Sequence, residues 1–150
     1  MNARKIVDIL LEDEDFDFSG YVYAAYTPRD AYELVIKRHD LAPVLEPALA
    51  QHPVWAYRYA YYILGGKRFP AGEPVIANDP ECAYLYAHNV ICGGFPAGEA
   101  AIATDPDYSF YYARDDIERP FPAGEAAIAT SERYSKLYNL LFGTNLGQIA

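Results

Sequence analysis

The chain has 150 residues, with 21 acidic and 12 basic side chains, a net charge of −9 and a pI of about 4.7. Its length suits one domain with a buried core, and its 52% hydrophobic content argues against disorder. The acidic balance excludes direct nucleic-acid binding through a basic stripe, because phosphate contacts need clustered Lys and Arg. Plausible partners are basic proteins, or a protein groove that normally holds a polyanion.

Compartment is indicated by what the sequence lacks. No apolar run approaches the roughly 20 residues that span a bilayer, and the N-terminus turns acidic too early for a secretory signal. Cys82 and Cys92 lie ten residues apart on one predicted helix. A separation of roughly 15 Å is too long for a disulfide. Two free thiols predict a reducing, cytoplasmic setting without a membrane.

The first 27 residues are expected to form an N-terminal capping region. Residues 3–12 have the apolar spacing of a short amphipathic helix. The acidic run at residues 12–17 would lie at the C-terminal end of this helix, where negative charge opposes the dipole. A solvated turn is therefore favoured there, and an acidic contact patch is the alternative. For residues 21–26 both strand and helix stay open, with a preference for helix.

Residues 28–131 are built from repeats. The stretch FPAGEAAIATDPD at 95–107 returns as FPAGEAAIATSE at 121–132 and FPAGEPVIANDPE at 69–81, with a diverged copy, EPALAQHP, at 46–53. Alignment on recurring prolines, with a Glu at the last position, gives units of 25, 27, 26 and 26 residues, starting at Pro28, Pro53, Pro80, Pro106 and Glu132. A fixed period of this size is typical of stacked supersecondary units. We predict an all-α fold, a short α-solenoid of about four and a half helix–turn–helix repeats, in one domain that ends with a terminal helix and tail at 132–150.

Each repeat is expected to contain a long helix A and a short helix B. Helix A begins at an N-cap residue followed by Pro or Glu, as at Asp79 and Asp105, and ends at glycine pairs such as Gly93-Gly94. Helix B begins near the repeated Glu of the FPAGE motif, because a following Pro is tolerated only in a first turn. The repeat-defining structural residues are these glutamates and the phenylalanines before them: Glu73, Glu99, Glu125, Phe69, Phe95 and Phe121. The glutamates are interpreted as favourable charges at helix starts.

The run AYRYAYYILGGKRFPAGEPVIANDP and its two later copies, between residues 55 and 131, resemble tandem repeats in uncharacterised proteins of tailed bacteriophages. The later copies depart from that pattern, since Gly94 and Pro120 replace the Arg before Phe-Pro. The resemblance implies a phage or prophage origin and an interaction role, and it identifies no active site.

Catalytic and metal sites have little support in the sequence. His39, His52 and His88 share no ligand spacing with Cys or carboxylates, apart from the single pair His88 and Cys92. No nucleophile motif or phosphate-binding loop occurs. Asp115 and Asp116 are adjacent on a helix and are interpreted as part of a solvated face. We therefore expect no enzyme activity, no metal and no cofactor.

Charge distribution gives the sharpest functional hypothesis. Residues 79–132 carry ten carboxylates against two arginines. Carboxylates at successive helix starts and ends would line one edge, which could imitate a phosphate backbone for a basic or nucleic-acid-binding protein. The alternative is that the charges only keep the protein soluble. The candidate partner-binding residues are Asp79, Glu81, Asp105, Asp107, Asp115, Asp116, Glu118, Tyr108 and Tyr111.

The function predicted from these features is non-enzymatic protein binding, by an acidic phage-type inhibitor of a host defence or nucleic-acid-binding complex. A structural or assembly protein that self-associates through its repeat ends is the alternative. In that case the terminal helix would form a homodimer through an apolar face at Leu137, Leu140, Leu141 and Phe142.

Overall fold

A computed structural model describes residues 27–147 of the chain. The predicted capping helix and acidic run within residues 1–26 lie outside the described residues. Between residues 27 and 147 the protein is entirely helical, without strands, and its helices pack in neighbouring pairs. The α-helices are α1 Pro28–Lys37, α2 Ala42–Leu49, α3 Pro53–Arg58, α4 Glu73–Ile76, α5 Pro80–Tyr86, α6 Glu99–Ile102, α7 Pro106–Tyr111, α8 Glu125–Ile128 and α9 Glu132–Phe142. Odd-numbered helices are the predicted helices A and even-numbered ones the helices B, which confirms the repeat solenoid. Helix α2 differs from the predicted helix B, because it begins at Ala42 rather than near Glu46 and contains Pro47 in its interior.

Helix A begins where the N-cap pattern predicts. The side chain of Asp79 accepts the Cys82 backbone N–H at 2.8 Å, and that of Asp105 accepts two backbone N–H groups at 2.8 and 3.0 Å. Thr27 and Ser131 cap α1 and α9 in the same way. These side chains satisfy amide groups that the first helical turn leaves unpaired.

The ends of the inner helices A differ from the prediction. After α3, α5 and α7 the chain continues as π-helical segments, at Tyr59–Ile63, Ala87–Ile91 and Tyr112–Asp116. The predicted cap at Gly93-Gly94 is wrong, because Cys92 takes the left-handed conformation, with φ of 55°. Gly65 and Gly66 have positive φ, as expected for a left-handed cap.

A hydrogen-bonded clamp joins each of the last three helices B, α4, α6 and α8, to the following helix A. The hydroxyl of Tyr112 accepts the buried backbone N–H of Phe95 at 2.8 Å and donates to Glu99 Oε1 at 2.9 Å. Tyr86 makes the same pair of bonds to Phe69 and Glu73, and Tyr138 to Phe121 and Glu125. Burial raises the pKa of Tyr86 and Tyr138 to about 12, so each hydroxyl keeps its proton and donates it to the carboxylate. We call this unit of tyrosine, glutamate and backbone N–H the clamp.

The repeated glutamates therefore do more than neutralise a helix dipole. Each is held by a fully buried tyrosine thirteen residues later. In the first copy of the FPAGE motif the guanidinium of Arg68 also binds Glu73, at 2.7 and 2.8 Å, and lowers its pKa. The later copies have Gly94 and Pro120 in place of this arginine.

The glycine of the FPAGE motif is required by packing. A Cβ built on Gly98 would lie 2.5 Å from Cδ1 of Phe95 and 2.9 Å from the Cβ of Ala83. Gly72 and Gly124 are equally crowded. The absence of a side chain on this glycine lets the Phe ring pack against the glycine backbone, and it lets a small residue of helix A approach the same backbone closely. The inward-facing Phe and Ile residues of the repeats are buried, as predicted.

The last repeat is closed by the C-terminal tail. Asn139, which stands where earlier repeats have Ala60, Ala87 and Ala113, donates to the Leu146 carbonyl at 3.0 Å and accepts the Leu146 N–H at 2.7 Å. The Thr144 hydroxyl donates to the same side chain. Lys136 replaces the aromatic residue of earlier repeats. Polar residues on a terminal repeat are the usual way to end such an array.

Candidate protein-binding surface

The N-terminal ends of α5 and α7 bring four carboxylates together around one tyrosine. Burial raises the pKa of Tyr108, and Glu81, Asp105, Asp107 and Asp79 raise it further. The charged groups that act on this hydroxyl are thus carboxylates from two successive repeats. Glu81 and Asp107 are exposed, whereas Asp79 and Asp105 are half-buried because their side chains cap helices. We call these four residues with Tyr108 the acidic cluster.

The other three predicted carboxylates lie apart from the acidic cluster. Asp115, Asp116 and Glu118 follow α7, roughly 15 Å along the axis from Asp105 at about 1.5 Å per residue. Asp115 is bound by the guanidinium of Arg114 at 2.5 and 2.7 Å, which lowers its pKa. Glu118 is exposed and adopts the left-handed conformation, with φ of 50°. The predicted single edge is therefore divided into two groups.

Asp116 is not part of a solvated face, which corrects the sequence interpretation. Its side chain is 2% exposed, and Oδ1 lies 3.0 Å from Nδ1 of His88 in the preceding repeat. Its Oδ2 is buried and has no hydrogen-bond partner among the described residues. Burial raises the pKa of Asp116, while His88 acts in the opposite direction. The equivalent residues in earlier repeats, Ile63 and Val90, are apolar, so the Asp116 carboxylate occupies a position that holds an aliphatic side chain in those repeats.

Stacked aromatic rings connect the two acidic groups. Tyr84 stacks on Tyr108 with centroids 5.4 Å apart and on His88 at 5.7 Å. Tyr111 contacts Tyr134 at 5.9 Å, and the Arg114 guanidinium lies 4.9 Å from the Tyr111 centroid. Tyr108 and Tyr111 are consequently half-buried. Each offers an edge rather than a whole ring to a partner.

The thiol of Cys82 and the imidazole of His88 both take part in the packing of the repeats. Burial raises the pKa of the Cys82 thiol to about 12, so its sulfur stays protonated at neutral pH. His88 pairs with Asp116, and within residues 27–147 no three His, Cys or carboxylate side chains are grouped as metal ligands. In the same range no helix has the length and hydrophobicity needed to cross a bilayer.

A cleft of about 430 Å³ opens between α3 and α5, beside the acidic cluster. Most of its wall is apolar or aromatic, and Glu81 and Arg58 stand at its polar side. It is lined by Val54, Tyr57, Arg58, Tyr62, Glu81, Cys82 and Leu85. No sequence pattern indicates this cleft directly, because its two walls belong to different repeats.

Comparison of the chain with protein-family models, curated proteins and solved structures finds no match.

Proposed function

We propose that this chain is a non-enzymatic, phage-type protein-binding repeat protein whose acidic cluster binds a basic or nucleic-acid-binding protein. The supporting observation is that the N-terminal ends of α5 and α7, joined by the stack of Tyr84 on Tyr108, carry four carboxylates, all of which raise the pKa of Tyr108. A rigid array of carboxylates can occupy a groove shaped for phosphates. An inhibitor of a host defence complex, of the anti-restriction or anti-CRISPR kind, would use such a surface as a nucleic-acid mimic in the host cytoplasm.

The structure identifies which carboxylates can be changed without damage to the fold. Asp79 and Asp105 cap helices and Asp116 is buried, so their reversal would disturb folding as well as binding. Glu81 and Asp107 are exposed and accept no capping N–H, although both lie in the first turn of a helix and Asp107 also acts on the Tyr134 hydroxyl. Reversal of this pair to Lys therefore tests the acidic cluster with the smallest change to the fold, and circular dichroism should show unchanged helix content.

The test is capture of host proteins at low and high salt, followed by titration of the recovered basic partner. Glu81→Lys with Asp107→Lys should weaken binding at least tenfold, about 1.4 kcal/mol. The control, Glu33→Lys with Glu132→Lys, makes the same change in net charge outside the acidic cluster, where each residue forms only an exposed i,i+4 ion pair, and should bind nearly as wild type. Equal loss in both variants would show that only net charge matters and would reject the acidic cluster as a specific site.

Self-association through the terminal helix is a second candidate function. Leu140 is 82% exposed and Leu141 is 51% exposed on α9, and Leu137 is exposed beside them. Phe142 instead packs against Tyr138, with centroids 4.8 Å apart. Three neighbouring exposed leucines favour an apolar contact with another chain. Light scattering over a range of concentrations should detect dimers, and Leu141→Asp should remove them.

A further inference from the structure

The large exposed hydrophobic side chains of the described residues are not scattered over the surface. Each repeat has one buried reference position, which is the clamp tyrosine in the later repeats and Leu34 or Tyr59 in the first two. Apart from Leu137, every large exposed hydrophobic residue lies two or three positions after this reference residue. The positions two places later hold Ile36, Tyr61, His88, Arg114 and Leu140, and those three places later hold Lys37, Tyr62, Asn89, Asp115 and Leu141. We call these ten positions the outer face.

The outer face is continuous across the repeats. The π-helical segments that carry its central positions pack against one another, since Tyr59–Ile63 contacts Ala87–Ile91 and Ala87–Ile91 contacts Tyr112–Asp116. Tyr111 and Tyr134, outside these ten positions, join the last two helices A. Neighbouring helices packed about 8–10 Å apart then place α9 roughly 20–25 Å from the cleft between α3 and α5.

A projection lies near one end of the outer face, and a cleft borders the face towards the other end. Leu140 and Leu141 project at one end, and the cleft of about 430 Å³ that includes Tyr62 and Leu85 opens towards the other. Between them lie Arg114 and Asp115, which carry opposite charges. A face with a projection, a cleft and a mixed-charge centre between them can pair with a copy of itself in antiparallel orientation.

We infer that two copies of this chain dimerise through their outer faces, with Leu140 and Leu141 of each seated in the cleft between α3 and α5 of the other. This inference rests on the second candidate function and names the surface that the terminal helix contacts. The twofold axis passes near Arg114 and Asp115, so each Arg114 faces the partner's Asp115 across it. Because projection and cleft lie on one face, both contacts form at once and the assembly closes as a dimer.

Interface size favours this arrangement over contact between two α9 helices. A specific interface buries roughly 1,200–2,000 Å² in total. Three leucines on one short helix cannot supply that area, whereas a face that extends over several repeats can. The net charge of −9 opposes pairing, so dimerisation should strengthen with added salt. Binding through the acidic cluster should respond to salt in the opposite direction.

The test is disulfide trapping between two differently labelled proteins. In a Cys92→Ser background, which keeps the buried and protonated Cys82 in the wall of the cleft, one protein carries Tyr62→Cys and the other Leu140→Cys. The mixture should form the mixed disulfide on oxidation, whereas each protein alone and a Thr104→Cys control, exposed after α6, should stay largely uncross-linked. Efficient cross-linking of the Leu140→Cys protein with itself would overturn the cleft contact while leaving self-association through the terminal helix in place.

Sedimentation of the unmodified chain provides the second measurement. Dimers whose dissociation constant rises at least tenfold on Leu140→Glu, and also on Tyr62→Glu, support the inference. A chain that stays monomeric at high concentration and high salt would overturn both this inference and the second candidate function. Larger open polymers would contradict the closed antiparallel pairing.

Discussion

Removal of a single hydroxyl from the clamp tests its contribution to stability. Tyr112→Phe leaves the ring, and hence the packing, almost unchanged. It leaves the buried N–H of Phe95 without an acceptor and removes a donor from the Glu99 carboxylate. An unsatisfied buried donor costs about 1–3 kcal/mol, and a hydrogen bond to a charged group contributes about 1.5–3 kcal/mol. Since one hydroxyl serves both and the terms do not add fully, we expect a loss of about 2–4 kcal/mol.

The measurement is urea unfolding followed by circular dichroism, with two matched substitutions. Tyr62→Phe removes a hydroxyl from a side chain that is 65% exposed and should stay within about 0.5 kcal/mol of wild type. Tyr59→Phe should lower the free energy of unfolding by an intermediate amount, about 1–2 kcal/mol. The Tyr59 hydroxyl donates to Glu46, but the N–H of Ala42, which corresponds to that of Phe95, is already paired with the His39 carbonyl. If Tyr112→Phe is no more costly than Tyr62→Phe, the clamp does not stabilise the repeat.

Two further substitutions test packing and buried charge. Gly98→Ala should cost about 1–3 kcal/mol, because the new Cβ meets the Phe95 ring, whereas Gly93→Ala meets nothing within 4 Å and should be close to neutral; thermal unfolding compares the two. Burial raises the pKa of Asp116 in the folded protein above the value of about 3.9 in the unfolded chain. Its contribution to stability therefore falls as pH rises from the unfolded-state pKa through the folded-state pKa. Asp116→Val should therefore stabilise the protein at pH 8 by about 1–2 kcal/mol and by less at pH 4. A gain that is larger at pH 4 would contradict the assignment of a destabilising buried carboxylate.

Local signals were sufficient to predict the repeat frame. The N-caps at Asp79 and Asp105 and the prolines after them act within a few residues of sequence, and the 26-residue period returns the same signals along the chain. The structure confirms the helices that they predict. The left-handed residue at Cys92 was missed because glycine is the usual choice for that conformation and Gly93 stood next to it.

The contacts between repeats were harder to predict. The clamp joins residues thirteen and seventeen positions apart, beyond any helical periodicity, although the constant spacing from Glu99 to Tyr112 and from Glu73 to Tyr86 was a visible signal. The sequence interpretation placed Asp116 on a solvated face together with its neighbour Asp115, and only Asp115 is exposed. Alignment with Ile63 and Val90 would have indicated that its position is buried. The acidic cluster was only partly foreseen, since sequence spacing places carboxylates at helix starts but not around one tyrosine.

The clamps can form only in chain order during synthesis, because each tyrosine is made after the glutamate that it binds. Each four-residue helix B is too short to hold its shape alone, and the tyrosine that stabilises it leaves the ribosome thirteen residues after its glutamate. A helix B can therefore be clamped only after about half a repeat of further chain has emerged. Phe121 and Glu125 lack their partner until Tyr138 emerges, by which point Tyr86 and Tyr112 have already emerged.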